Sequence, residues 1–306
     1  MSKLSMSPHI HSGMSTGGIM LDVIIALLPA AVAGVVIFGL SALWVILTCV
    51  ASCVAFEALF CLATKKVQTV KDLSAAVTGL LLALNLPAGI PLWQCVVGSL
   101  FAIIVVKCIF GGLGQNVVNP AIASRVFMLV AFGSMAKAAF PVGVDTVAGA
   151  TPLANGADMP DLLTLVTGYY GGAIGETCSA ALLLGGIYLL ARRVITWHNP
   201  VAFMGTVFVF SFLMEGFDPV MALSKVLCGG VVIGAIYMAT DYTTSPPTPW
   251  GKVIFGVGCG LITCLIRYFG NLPEGVSYAI LFMNILTPYI SRWTRHKVFG
   301  TGGAKQ

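Results

Sequence analysis

The sequence predicts an all-α polytopic membrane protein of about ten transmembrane helices, arranged as two inverted five-helix repeats with broken helices. Three observations predict it. Charged residues make up 9% of the 306 residues and hydrophobic residues 58%, with a mean hydropathy of +0.97. An ordinary soluble domain is about 25% charged, so the solvent around this chain must be lipid. Apolar runs recur along the whole sequence, and basic residues gather at alternate ends of those runs. Together these exclude a soluble enzyme, a secreted disulfide scaffold, a disordered chain and a DNA-binding domain. The net charge of +5 is scattered over loops, so the large partner surface is the lipid bilayer and not nucleic acid.

The runs cover residues 19–38, 40–63, 73–86, 92–110 and 120–140, then 173–191, 201–217, 220–239, 250–269 and 276–293. Most reach the roughly 20 residues a helix needs to cross about 30 Å of hydrocarbon. The first has no basic flank beyond Lys3 and is followed by similar runs, so it reads as a span and not as a cleaved signal. The third would be only about 21 Å long as a helix, and it ends in Asn85-Leu86-Pro87-Ala88-Gly89. The eighth ends similarly, in Asp241-Tyr242-Thr243-Thr244-Ser245-Pro246-Pro247. Each break is followed by a proline and a tryptophan (Pro91 and Trp93; Pro249 and Trp250) and then by a full span. An odd number of spans per repeat inverts the second half. Paired broken helices in inverted halves point to a site near the midplane, where irregular backbone needs protein or water to satisfy it.

Charge sets the orientation. With the N-terminus in the cytoplasm, Lys65, Lys66, Lys71, Lys107, Arg192, Arg193, Lys252, Arg292, Arg295 and Lys297 fall at cytoplasmic ends. Lys137, Lys225 and Arg267 fall at outer ends, together with the acids Asp145, Asp158, Asp161, Glu215, Asp218 and Glu274. That asymmetry is the positive-inside pattern of a multi-pass cell (inner) membrane protein with both termini cytoplasmic. The chain then divides into a cytoplasmic segment 1–18, a first five-span repeat 19–140, an outer loop 141–172, a second repeat 173–293 and a cytoplasmic tail 294–306.

The outer loop is the one long connection, and long loops in tight bundles are usually functional or disordered. It contains Asp145-Thr146-Val147-Ala148-Gly149-Ala150-Thr151. Gly149 and Ala150 leave the Thr151 hydroxyl open to form a phosphate ester; the plainer reading is a Gly/Pro turn. Here the chain resembles the NqrB/RnfD family of membrane subunits, whose Asp-x-x-Ala-Gly-Ala-Thr motif carries FMN on its threonine through a phosphoester. The family often has Ser or Thr where this chain has Ala148. Other matches span roughly residues 7–295. They are Ser7-Pro8-His9-Ile10, Phe56-Glu57-Ala58-Leu59-Phe60, Pro91-Leu92-Trp93-Gln94 and Phe110-Gly111-Gly112-Leu113-Gly114-Gln115-Asn116. Asn119-Pro120-Ala121, Arg125, Gly175-Glu176-Thr177, Ala239-Thr240-Asp241 and Ala279-Ile280-Leu281 complete the series. The short N-terminal segment resembles the RnfD branch.

The resemblance implies one flavin-bearing subunit of an ion-translocating complex that passes electrons between ferredoxin and NAD+ and moves Na+ or H+. It implies covalent FMN at Thr151, a flavin transferase reading Asp145, Ala148, Gly149 and Ala150, and a second, noncovalent flavin (riboflavin) in the bundle. It also implies the A, B, C, E and G components of an Rnf complex as partners, and no complete activity from this chain alone. The competing class is a channel or secondary transporter for a small solute, which the broken-helix architecture alone would equally suit.

The remaining candidates each carry two readings. Asp22 and Glu57 sit within spans, where a charge is costly unless paired or hydrated; they are candidate ion-path residues, or Glu57 pairs with a lysine. Asp241 either lines an ion entrance or caps a broken helix. Asn116 and Asn119 contact flavin or ion, or satisfy backbone at a helix end. Arg125 hydrogen-bonds a flavin ring or pairs with an acid. Gly256-Val-Gly-Cys-Gly260 lets two helices approach closely. No Cys/His cluster has metal-ligand spacing, and the nine cysteines read as small packing residues.

Overall fold

The computed structural model describes residues 15–136, 139–141, 152–153, 159–270 and 274–295. Among these the fold is helical, without strands. The helices are α1 (Thr16–Phe38), α2 (Leu40–Ala63), α3 (Ser74–Leu84), α4 (Leu92–Leu100), α5 (Pro120–Ala131), α6 (Leu162–Thr167) and α7 (Ser179–Ala191). Then come α8 (His198–Met214), α9 (Pro219–Leu227), α10 (Val231–Ile233), α11 (Pro249–Phe269) and α12 (Val276–Trp293). Two helices continue into π-helical turns, α4 through Phe101–Cys108 and α10 through Gly234–Met238.

By length and composition, α1, α2 and α11 can each cross a membrane, and α9 with α10 and its π-turn forms a pair bent by 67°, the form of a broken span or a re-entrant loop. The bundle presents hydrocarbon outward as well as inward. Val32, Val36, Leu40 and Leu62 are exposed on α1 and α2, and Trp44, Trp93, Trp197, Trp250 and Trp293 are all exposed. Such a surface suits lipid and would aggregate in water.

The sequence pattern overestimated several spans. The run 120–140 is α-helical only to Ala131, followed by a 3-10 turn at Gly133–Ala136, and the run 173–191 is α-helical only from Ser179. The loop 141–172 holds a short helix, α6. The eighth run breaks inside, at Cys228-Gly229-Gly230, as well as after its end. Gly229 adopts φ +72°, which releases the backbone from the helix and lets the chain bend.

Close packing follows small residues. A Cβ on Gly185 would collide with the Ala26 carbonyl and the Tyr237 hydroxyl, so α7 reaches α1 only because that position is glycine. Tyr237 donates to both Ala26 O (3.2 Å) and Leu182 O (2.9 Å), tying the two helices to the π-turn. In the Gly256–Gly260 segment, a Cβ on Gly256 would lie 2.8 Å from Asn199 O and one on Gly260 3.0 Å from Phe203 O, so α11 lies against α8 as expected of a small-residue stripe.

Irregular backbone inside the bundle is satisfied from three sides. Asn119 donates to Met238 O (3.5 Å), and Asn199 donates to Ala239 O. With its amide oriented to satisfy both groups, Asn284 donates to Thr244 O (3.3 Å) and accepts from Asn119 N–H (3.1 Å). The open end of α3 is closed by a distant segment: Gly175 N–H donates to Leu84 O (2.7 Å) and Ile174 N–H to Leu86 O (3.0 Å). These are carbonyls that a helix C-terminus leaves unsatisfied.

Candidate functional site

At the end of the bundle where α3 and α5 begin, the helices surround an open cleft. Its walls are mostly apolar, with Met20, Val23, Val77, Leu81, Leu113 and Ile195 among them. Its polar groups are few: Thr78, Asn116, Asn119, Thr240, Asp241 and Thr243, with Ser74 and Lys107 at one edge. An apolar hollow with a few placed polar groups has the general form of a small-molecule site. The Asn116 side-chain oxygen is buried and has no partner among the described residues.

The cleft gathers candidates that lie far apart in sequence. Asn119 caps α5, accepting from Ala121 N–H (3.0 Å) and Ile122 N–H (3.4 Å), so its backbone role is real. Asp241 is held in the turn after the second π-segment, accepting from Thr243 N–H (3.3 Å), Thr243 Oγ (3.0 Å) and Thr244 Oγ (3.2 Å). That is a turn-capping geometry, and it places the carboxylate on the cleft wall as well.

Glu57 lies beside the cleft, 2% exposed, and pairs with a lysine, but with Lys107 (2.9 Å) and not with one from its own helix end. Lys107 also donates to Ser74 Oγ (2.6 Å), whose hydroxyl donates to Asp72 Oδ1 (2.5 Å), and Thr69 Oγ donates to Glu57 Oε1 (2.7 Å). The second carboxylate oxygen of Glu57 is buried without a partner among the described residues. Lys107 is 1% exposed because the π-helical turn carries it inward; no pattern in the sequence signals that this lysine leaves the helix end. Asp22 pairs with Arg192 (3.3 Å) and accepts from Tyr188 OH (2.8 Å), joining α1 to the end of α7.

Arg125 lies deeper and pairs with acids, the second of its two readings. It donates to Asn85 Oδ1 (2.6 Å) and Glu176 Oε1 (2.6 Å) and forms a third contact, an ion pair with Glu274. Arg125 and Glu176 are 3% and 1% exposed. Counting charges at run ends puts Glu274 in the outer water and leaves Glu176 without a role. The structure instead folds the 172–178 segment back onto α3 and brings both acids to Arg125.

Thr151 and the motif residues Asp145, Ala148, Gly149 and Ala150 lie outside the described residues.

Residues 3–300 match the NQR2, RnfD, RnfE family. The chain belongs to that family. Its relatives within the NQR2, RnfD, RnfE family are similar over nearly their full length. The D component of the Na(+)-translocating ferredoxin:NAD(+) oxidoreductase complex of Acetobacterium woodii is 49% identical, over 99% of this chain and 96% of the relative. Its counterpart in the proton-translocating ferredoxin:NAD(+) oxidoreductase complex of Clostridium ljungdahlii is 40% identical, over 97% of this chain and 96% of the relative. The counterpart in the ion-translocating oxidoreductase complex of Stutzerimonas stutzeri is 38% identical, over 94% of this chain and 92% of the relative.

Proposed function

We propose that this chain is the RnfD-type membrane component of an Rnf-type oxidoreductase complex, coupling electron transfer between ferredoxin and NAD+ to translocation of Na+ or H+. The observation that carries this is near end-to-end similarity to the corresponding components of ferredoxin:NAD+ oxidoreductase complexes, joined to the Asp145–Thr151 motif. Thr151 bears FMN as a phosphate ester, attached by a flavin transferase that reads Asp145, Ala148, Gly149 and Ala150. The other components (A, B, C, E and G) supply the ferredoxin and NAD+ sites.

A second, noncovalent flavin fits the cleft. The apolar side chains of the walls suit an isoalloxazine ring, and the unpartnered oxygen of Asn116 offers an acceptor for a ring N–H. Asn116, Thr240 and Thr243 would hold the polar edge of riboflavin, while Met20, Val77 and Leu113 exclude water from its faces. When bound, such a flavin supplies one- and two-electron redox chemistry that no side chain here has.

Two inverted repeats remain the organising relation we favour. In the first half α2 packs on α3 and α4; in the second, α8 packs on α9 and α11. The two halves meet through like members, α1 with α7 and α5 with α12, an arrangement compatible with a two-fold relation. Broken helices and a cleft also suit a solute transporter, but such a protein has no use for a flavinylation motif. A flavin fluorescence band that survives denaturing electrophoresis is the expected result for the chain made with an active transferase; a dark band would favour the transporter. The charge asymmetry further sets topology. A reporter fused at Asp158 should read as outside and one at Gln306 as cytoplasmic, and a cytoplasmic signal at Asp158 would overturn the orientation.

A further inference from the structure

The ion pairs within the bundle differ in their arithmetic. Asp22 meets one cation and Glu57 meets one cation, but Arg125 meets two carboxylates, Glu176 and Glu274. With all three ionised, the triad carries one surplus negative charge inside a membrane protein, where an uncompensated charge is strongly disfavoured. The other cation nearby is Arg267 on α11. Its guanidinium donates to Lys225 O (2.7 Å) and Cys228 O (3.2 Å), the open carbonyls at the end of α9, and it forms no ion pair with either acid. Tyr170 donates its hydroxyl to the Glu176 backbone carbonyl (2.8 Å), not to the carboxylate. From α3, only the neutral Asn85 faces the triad. Lys225 is 3.8 Å from Glu215 and is engaged there.

Two further groups show that the triad is incomplete as built. Arg125 Nε and Thr177 Oγ, the latter on a residue 0% exposed and next to Glu176, are buried and have no partner among the described residues. Buried polar atoms of this kind are normally satisfied by water. The two acids also face differently: the side chain of Glu274 is 20% exposed and that of Glu176 only 2%. On the buried side, a thread of polar contacts leads back to the cleft. Arg125 donates to Asn85 Oδ1 (2.6 Å), Asn85 donates to the Met238 sulfur (3.8 Å), and the Met238 carbonyl accepts from Asn119 (3.5 Å) on the cleft wall.

We propose that the Arg125–Glu176–Glu274 triad holds one exchangeable monovalent cation, either a proton on a carboxyl oxygen or a sodium ion between the two carboxylates. It is a hydrated station reached through Glu274, the more exposed of the two acids. A proton bound there comes from hydronium, forming one O–H bond on the carboxylate as the donor's O–H bond breaks and a water molecule is left; release reverses the step. Sodium binding exchanges water ligands for carboxylate oxygens and changes no covalent bond. The station's place on an ion route rests on the translocating function proposed above, whereas the binding itself does not.

Infrared difference spectroscopy of the complex in liposomes, titrated with acid in H2O and D2O, tests this. The expected result is a protonated-carboxyl band that shifts in D2O. It is lost in Glu176→Gln and equally in Glu274→Gln, because either change leaves one carboxylate balanced by Arg125. Suppression of the band by NaCl but not by choline chloride identifies sodium as a competing occupant; insensitivity to both identifies the proton alone. Either result supports the station. A band that persists in Glu274→Gln, or carboxylates that stay ionised at every pH and show no sodium dependence, overturns it. Glu274 is partly exposed, so that variant folds even where Glu176→Gln does not. Covalent flavin fluorescence, read on the same samples, separates the two proposals: a wild-type protein without it sinks the flavin reading and leaves the infrared result standing.

Discussion

Thr151→Val should abolish the covalent flavin proposed at this position. Valine keeps nearly the shape of threonine and removes the hydroxyl oxygen, so folding should survive while ester formation becomes chemically impossible. Fluorescence on a denaturing gel should fall to background, and the loop peptide should appear unmodified by mass spectrometry. Thr151→Ser keeps an oxygen and should retain part of the signal. Asp145→Ala should weaken attachment by impairing recognition by the transferase. In the assembled complex, loss of one carrier should stop coupled electron transfer while the subunits still assemble. Full flavin retention in Thr151→Val, or an unmodified Thr151 in wild-type protein made with an active transferase, would falsify the assignment.

Lys107→Met should be the most destabilising single change among the residues around the cleft. It removes the partner of a carboxylate that is 2% exposed and already has one oxygen unsatisfied. Breaking one side of a buried ion pair costs roughly 3–5 kcal/mol, because the remaining charge stays buried and unpaired. Adding Glu57→Gln removes that charge, and its amide can still accept from Thr69, so the double variant should recover most of the loss. Thermal unfolding in detergent measures both. Equal destabilisation of the single and double variants would show that Lys107 acts through packing and not through Glu57.

The same residues show how far the sequence could be read. Asp22, Glu57 and Arg125 announce themselves, because a charge within an apolar run needs a partner. Which partner it finds is a tertiary fact. Lys107 stands where an α-helix would leave it at the membrane boundary, and the i→i+5 turn of Phe101–Cys108 rotates it inward. No apolar periodicity encodes that turn. Position along the chain says little about Glu176 and Glu274, because their approach to Arg125 depends on hydrogen bonds between Gly175 and Leu84, far apart in sequence. The break at Gly229-Gly230 did have a signal, since paired glycines interrupt helices, but the surrounding hydropathy hid it. The breaks at Asn85 and Asp241, by contrast, were legible from their prolines and polar residues.

The closure of α3 by residues 174 and 175 also has a meaning in time. Leu84 and Leu86 leave the ribosome about 90 residues before their hydrogen-bond donors. At roughly 5–20 residues per second, the nascent first half waits on the order of 5–20 s with the end of a helix open inside the bilayer. During that interval Asn85 and Arg125 already have each other, but Arg125 has neither of its acids. The order of synthesis therefore makes the first half of the chain a provisional structure, completed only when residues 174 and 175 follow it and reach back to α3. A chain truncated after residue 140 should accordingly be a substrate for membrane quality control and not a stable half-protein.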